Sequence, residues 1–330
     1  MKADSTGGAQ ANNIAAPTAE AIARAVALLR AGEVIGMPTE TVYGLAGDGL
    51  NPVALARIFE TKHRPLFDPL ILHFADMSGA FDLASQVPTI ARELAQRFWP
   101  GPLTLILRKR DIVPDLATSG LPNVALRVPA HPVAQALLRA FGDGPIAAPS
   151  ANRFGRISPT DAQAVHAELG HTIPLILDGG PCAVGLESSV LYVAEHPPVL
   201  LRAGGIPIEE IEAITGPVRH GAPVEDRPQS PGQLKHHYAP RKPLEFVDDA
   251  TKIPSRPDVG WLAFGPVKRN FAGVIENVSP SGNLREAAAN FFRALRTLDN
   301  DPRVAEIYAA KFPETGLGLA INERLERAAG

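Results

Sequence analysis

The sequence predicts an α/β fold built on a mixed sheet, followed by a second and smaller α/β unit. Three observations carry that reading. Short runs of β-branched and Leu residues interleave with Ala/Leu-rich helical runs, without a long block of either. Several strand candidates follow one another with no helix between them, which parallel pairing alone does not allow. Six of the 32 prolines crowd into residues 217–243, the composition of a linker. The length of 330 residues agrees, being two domains at ~150 residues each. With 45% apolar and 20% charged residues the chain can bury a core, which separates it from disordered sequences.

Taken in order, residues 1–16 are polar and small and read as a disordered tail. Thr18 then caps a helix over 19–30, with Glu20 in its first turn and Gly32 just past its end. Residues 34–37 form a short buried strand closed by Pro38, and Asn51-Pro52 opens the next helix with a cap and a helix-first proline. Further strands fall at 70–74, 103–107, 124–128, 146–148, 175–177, 189–193 and 199–201, and further helices at 89–98, 132–141, 160–169 and 208–214. This assigns 17–216 to the first domain, 217–243 to a proline-rich linker and 244–330 to the second domain. In the last, 261–264 and 304–308 are apolar runs and 284–298 and 319–328 are amphipathic helices.

Composition excludes several function classes. A single cysteine, Cys182, rules out an internal disulfide framework, a cysteine-based zinc site and a CxxC redox motif, and points to a reducing cytoplasm. Neither a signal-peptide core nor a run of about 18 apolar residues is present, so no membrane association is expected. A net charge of −3 argues against a protein that coats nucleic acid electrostatically. The P-loop, dinucleotide-binding, zincin, serine-hydrolase and EF-hand signatures are all missing.

What remains is a set of short polar segments at the ends of strand candidates. Pro38–Leu45 offers two hydroxyls, Thr39 and Thr41, and the Glu40 carboxylate, as an ordinary turn or as part of a site. Lys62-His63-Arg64-Pro65 ends a helix, where its cations either complement the helix dipole or hold a polyphosphate. Arg127 lies inside an apolar strand and therefore needs a counter-ion or an anionic ligand. The run from Ala147 to Thr160 is a strand, a small-residue loop carrying Ser150, Asn152 and Ser158, and a helix start, an arrangement suited to an anion or nucleotide. Glu187-Ser188-Ser189 and Leu201-Arg202-Ala203-Gly204-Gly205 add another hydroxyl pair and another strand-end arginine.

In this order, PTETVYGL, IFETKHRP, DPLILHF, FWPGPLTLIL, VALRVPAHP, APSANRFGRISPT, LESSV and LRAGG resemble the YrdC-like threonylcarbamoyl-AMP synthase family over residues 21–215. The segment SPGQLKHHYAP, residues 230–240, resembles the linker of the family's long form, whose second domain is Rossmann-like. The resemblance implies a nucleotidyltransferase that converts L-threonine, bicarbonate and ATP into threonylcarbamoyl-AMP and diphosphate, with Mg2+ accompanying ATP and no organic cofactor. It further implies a downstream transferase that modifies adenosine N6 in tRNAs reading ANN codons, and a weak direct tRNA contact. Carried over by position, Lys62, Arg64, Ser150 and Asn152 form the catalytic tetrad around the triphosphate. Thr41, His73, Arg127, Ala148 and Ser188 meet threonine. Asp68, Asn123, Ser158 and Arg202 fall on further ATP positions, and His237 and Tyr238 close over the ligand as a lid. Three positions depart from the family pattern: His63 replaces Gly or Asn, Asp68 replaces Asn and Ala203 replaces Pro. Asp68 is expected to act through a metal or backbone contact, because a carboxylate repels phosphate. The alternatives are a module for double-stranded RNA or tRNA, and a carbamoyl-adenylate-forming relative of the hydrogenase-maturation type. The latter's zinc-finger module has no counterpart in this one-cysteine chain.

Overall fold

The computed structural model describes residues 13–142, 144–221 and 237–330. Eleven strands form the first sheet: β1 (Ile14–Ala15), β2 (Ile35–Met37), β3 (Gly44–Asp48), β4 (Ile71–His73), β5 (Leu103–Arg108), β6 (Asn123–Arg127), β7 (Ile146–Ala147), β8 (Ile176–Leu177), β9 (Ser189–Tyr192), β10 (Val199–Arg202) and β11 (Arg219–His220). Their order is β1-β8-β2-β3-β7-β4-β6-β5-β9-β10-β11. Parallel pairs such as β4 with β6 alternate with antiparallel ones such as β5 with β6 and β9 with β10, so the sheet is mixed, as expected. The second sheet holds β12 (Leu244–Val247), β13 (Val259–Phe264), β14 (Val274–Ser279) and β15 (Glu306–Ala310) in the order β12-β15-β13-β14. All its pairings are parallel, and helices Leu284–Asn300 and Leu317–Ala329 pack beside it. Among the described residues no helix is long and apolar enough to cross a membrane.

The tail expected over 1–16 is shorter where it can be described. Asn13 donates its amide to the carbonyls of Gly170 and Ile173 and accepts from His166 Nδ1, which pins the neighbouring β1 onto β8. The linker expected over 217–243 is likewise shorter at both ends, because Arg219–His220 pairs with β10 and the backbone at Arg241 and Lys242 is held by Asp299. Residues 222–236 lie outside the described residues. β3 is also unexpected, since a Gly-rich segment is a poor strand former. Its Gly44 is required by close approach: a Cβ there would sit 2.9 Å from the Cβ of Ala148. That approach lets the Leu45 and Ala151 amides donate to the Pro149 and Tyr43 carbonyls, respectively, which seats the Ser150–Asn152 loop against the Thr39–Tyr43 turn.

The two sheets share one apolar seam. Val42, Ile157 and Leu186, in loops of the first domain, pack in the same cluster as Tyr238 and as Phe291, Phe292 and Leu325 on the helices of the second. Polar contacts flank the seam, among them Arg296 with Glu168 at 3.1 Å and with the Ile157 carbonyl at 2.7 Å.

Candidate active site

The strand ends on one side of the first sheet surround a cavity. Thr41, Val42, Arg64, Ile71, His73, Arg127, Ala148, Pro149, Ser150, Glu187, Ser188, Arg202, His237 and Tyr238 line it. β4 and β6 place His73 directly beside Arg127 by parallel register. β9 starts just after Ser188 and β10 ends at Arg202.

Arg127 has the counter-ion that one of the two readings left open by the sequence requires, and it still faces a cavity. Its guanidinium donates to Glu40 at 2.6 Å, to Thr41 Oγ1 at 3.0 Å and to the Gly101 carbonyl at 3.2 Å, while the side chain still lines the cavity. Glu40 in turn accepts from the Ala130 amide. This carboxylate, for which sequence reasoning supplied no role, is the counter-ion that lets a cation be buried. Arg202 donates to the carbonyl and hydroxyl of Ser188, and Thr104 hydrogen-bonds the same hydroxyl at 2.7 Å. Thr104 is a second supporting residue the sequence did not single out, because a Thr in a strand carries no special signal.

Of the expected tetrad, Arg64 and Ser150 face the cavity. Lys62 is 1% exposed and its ammonium donates to the Ser150 carbonyl and, at 2.5 Å, to the Asn152 carbonyl, so it ties down the loop from behind. Burial and then the neighbouring Arg64 hold its amine well below the usual lysine range, against the pull of Asp68. Asn152 spends its amide on the carbonyls of Arg153 and Arg156.

Asp68, Asn123 and Ser158 are not among the lining residues. Asp68 stands behind Arg64, its carboxylate 2.8 Å from the guanidinium and its carbonyl accepting from Nε. Burial pushes the Asp68 carboxyl up, opposed by Arg64 and Lys62. Its side-chain contact is therefore with a cavity arginine. Asn123 begins β6, four residues from Arg127. Ser158 donates to Glu187 at 2.6 Å. The other two departures have local causes. His63 takes φ 51°, ψ 40° at the helix end, the left-handed region that Gly and Asn enter most easily. The Ala203 amide donates to Glu323 at 3.1 Å, a bond that proline could not make.

His237 and Tyr238 reach the cavity from the far side of the linker and stack edge to face, their ring centroids 4.1 Å apart. Burial raises the Tyr238 hydroxyl to about 12 and lowers both His237 and His73 to about 3, so both imidazoles are neutral at pH 7. The free imidazole value is about 6.5, and the unfolded chain therefore takes up protons that the folded chain refuses below that pH. Stability is retained above pH 6.5 and lost as the pH falls from there toward 3. Denaturant unfolding at pH 7.5, 6.5 and 5.5 should show this decline, approaching about 1.4 kcal/mol per pH unit for each histidine. The decline should be shallower in His237→Gln.

Comparison with known proteins follows the same division of the chain. The family profile for the Sua5, YciO and YrdC proteins, described as "Telomere recombination", matches residues 27–204, and that described as "Threonylcarbamoyl-AMP synthase, C-terminal domain" matches residues 206–330. A threonylcarbamoyl-AMP synthase of Bacillus subtilis is 44% identical over 94% of this chain and 93% of its own. One of Pyrococcus abyssi is 41% identical over 93% of both. The crystal structure of P. abyssi Sua5 complexed with L-threonine superposes with a TM-score of 0.86 at 39% identity, covering 94% of each chain. Two profiles that together span residues 27–330, and relatives this similar over nearly the whole length, place the chain in the threonylcarbamoyl-AMP synthase family.

Proposed function

We propose that this chain joins L-threonine, bicarbonate and ATP into threonylcarbamoyl-AMP, releasing diphosphate and water. One observation carries the reading: a single cavity holds the Arg127 fork bonded to Thr41, the Ser188 hydroxyl bonded to Arg202, and a third arginine, Arg64. A guanidinium matches a carboxylate through two parallel hydrogen bonds, so Arg127 takes the amino acid's carboxylate. Arg64, Arg202 and the Ser150 hydroxyl take the phosphates, with the Lys62 charge just behind the loop. Magnesium arrives as part of the MgATP substrate, since the Asp68 carboxylate is already committed to Arg64 and Glu187 to Arg324 and Ser158.

The reaction asks little covalent chemistry of the protein. The threonine amine attacks the carbon delivered by bicarbonate, giving a carbamate and water. A carbamate oxygen then attacks the α-phosphorus, the bond to the β-phosphate oxygen breaks, and diphosphate leaves. Positioning and charge neutralisation carry both steps. His237 and Tyr238 close the cavity and shield the carbamate and the adenylate from water. The product is a mixed anhydride, which must be consumed by a transferase acting on a nucleophilic amine, and we assign that role to the downstream step of tRNA adenosine modification.

Diphosphate release from ATP tests the reading. It should require threonine and bicarbonate together and fall to background when either is omitted; release independent of one of them would overturn it. Arg127→Lys keeps a charge beside Glu40 but loses the fork. It should raise the KM for threonine about tenfold, the worth of one charge-assisted hydrogen bond, with the KM for ATP within twofold. Equal changes in both constants would remove Arg127 from the threonine carboxylate.

A further inference from the structure

Helix Leu317–Ala329 of the second domain delivers one side chain to the wall of the cavity without entering it. Arg324 is 1% exposed and is among the largest fully buried side chains of the molecule. Its Nε donates to Glu187 at 2.9 Å, and its Nη1 donates to the Ala203 carbonyl at 2.8 Å and to the Ala320 carbonyl at 3.0 Å. Its guanidinium carbon lies 5.5 Å from the centre of the Tyr238 ring. Every target outside its own helix therefore belongs to the active-site wall. Glu187 and Tyr238 line the cavity, and Ala203 follows the cavity residue Arg202 directly.

The neighbouring residues reinforce the same attachment. Glu323 accepts the Ala203 amide, so two consecutive helix residues hold both backbone polar groups of that one residue. The Arg327 carbonyl accepts the His237 amide, one turn further along the helix. The planar guanidinium supplies both charge and several donors here: an apolar side chain of similar volume would fill the space but would remove the ion-pair partner of the buried Glu187. Burial alone would push the Glu187 carboxyl up, and Arg324, Arg202 and the Ser158 hydroxyl together bring it below the usual range, so it is an anion facing the cavity. Of these partners Arg324 is the one in direct ion-pair contact, so its loss leaves more of the Glu187 charge facing the cavity.

We propose that Arg324 is a positioning residue for the nucleotide half of the site, through which the second domain sets the affinity for ATP. It neutralises Glu187, fixes the turn that aims Arg202, and backs the Tyr238 ring against which the cavity closes. The inference rests on the function proposed above, and it assigns the second domain a direct part in nucleotide binding.

The test compares wild type, Arg324→Lys, Arg324→Met and Arg324→Met/Glu187→Gln, measuring MgATP binding by calorimetry without threonine, and diphosphate release with all three substrates. Arg324→Lys keeps the charge but has one donor group in place of the fork. It should weaken ATP binding about tenfold while leaving the KM for threonine within twofold. Arg324→Met, which exposes the cavity to the Glu187 charge, should weaken it further, and the added Glu187→Gln should recover a large part of that loss. ATP affinity within twofold of wild type in folded Arg324→Lys, or equal effects on ATP and threonine, would overturn the proposal. Should Arg324→Met fail to fold, Arg324→Lys decides by the same readings. Wild-type protein that binds ATP but releases no diphosphate with threonine and bicarbonate would instead overturn the function and leave the Arg324 comparison readable from calorimetry.

Discussion

Burying cations around one cavity is the constraint on which the rest of this structure depends. Lys62, Arg64, Arg127, Arg202 and Arg324 are each at most 6% exposed, and an isolated buried charge is too costly to keep. The fold meets that cost with carboxylates placed one to an arginine: Asp68 for Arg64, Glu40 for Arg127 and Glu187 for Arg324. Backbone carbonyls do the same for Lys62, and the Ser188 carbonyl and hydroxyl contribute to Arg202. The site is thereby preorganised, because the groups proposed to neutralise a triphosphate and a carboxylate are held in place by the protein itself.

This pairing explains which residues face the cavity and which stand behind it. A carboxylate that compensates an arginine cannot also repel a phosphate, provided the arginine lies between the two. Asp68 is arranged in that way, shielded by Arg64, and this accounts for an acidic residue where an amide is the usual choice in the resemblance. Glu187 differs because it lines the cavity itself. Its ion-pair partner is an arginine from the other domain that stands outside the cavity, and so the proposed nucleotide half of the site depends on how the second domain is seated. The shared apolar cluster of Val42, Ile157, Tyr238 and Phe292 keeps that seating fixed.

Much of this was legible in the sequence, for physical reasons that differ by element. Helices such as Ala19–Arg30, Thr89–Phe98 and Pro132–Phe141 fall where caps and apolar periodicity put them, since those signals are local. β3 escaped because its strand identity comes from close packing against Ala148 and not from propensity. β1 and β11 are two-residue strands that exist only through their partners. For the site, motif matching brought Thr41, His73, Arg127, Ser150, Ser188 and Arg202 to one cavity. It gave no warning that Lys62 and Asn152 would turn toward the loop backbone. The supporting residues Glu40, Thr104 and Arg324 were not legible, because a counter-ion 87 or 137 residues away along the chain is recognised only once the fold brings the partners together.

In the proposed reaction, carbon from bicarbonate is built into the adenylate before the α-phosphate is attacked. Mass spectrometry of the product formed from ATP, threonine and 13C-labelled bicarbonate tests it most directly. The expected product is an adenylate containing threonine and one labelled carbon. An unlabelled threonyl-adenylate, with threonine joined to AMP through its own carboxylate, would contradict it.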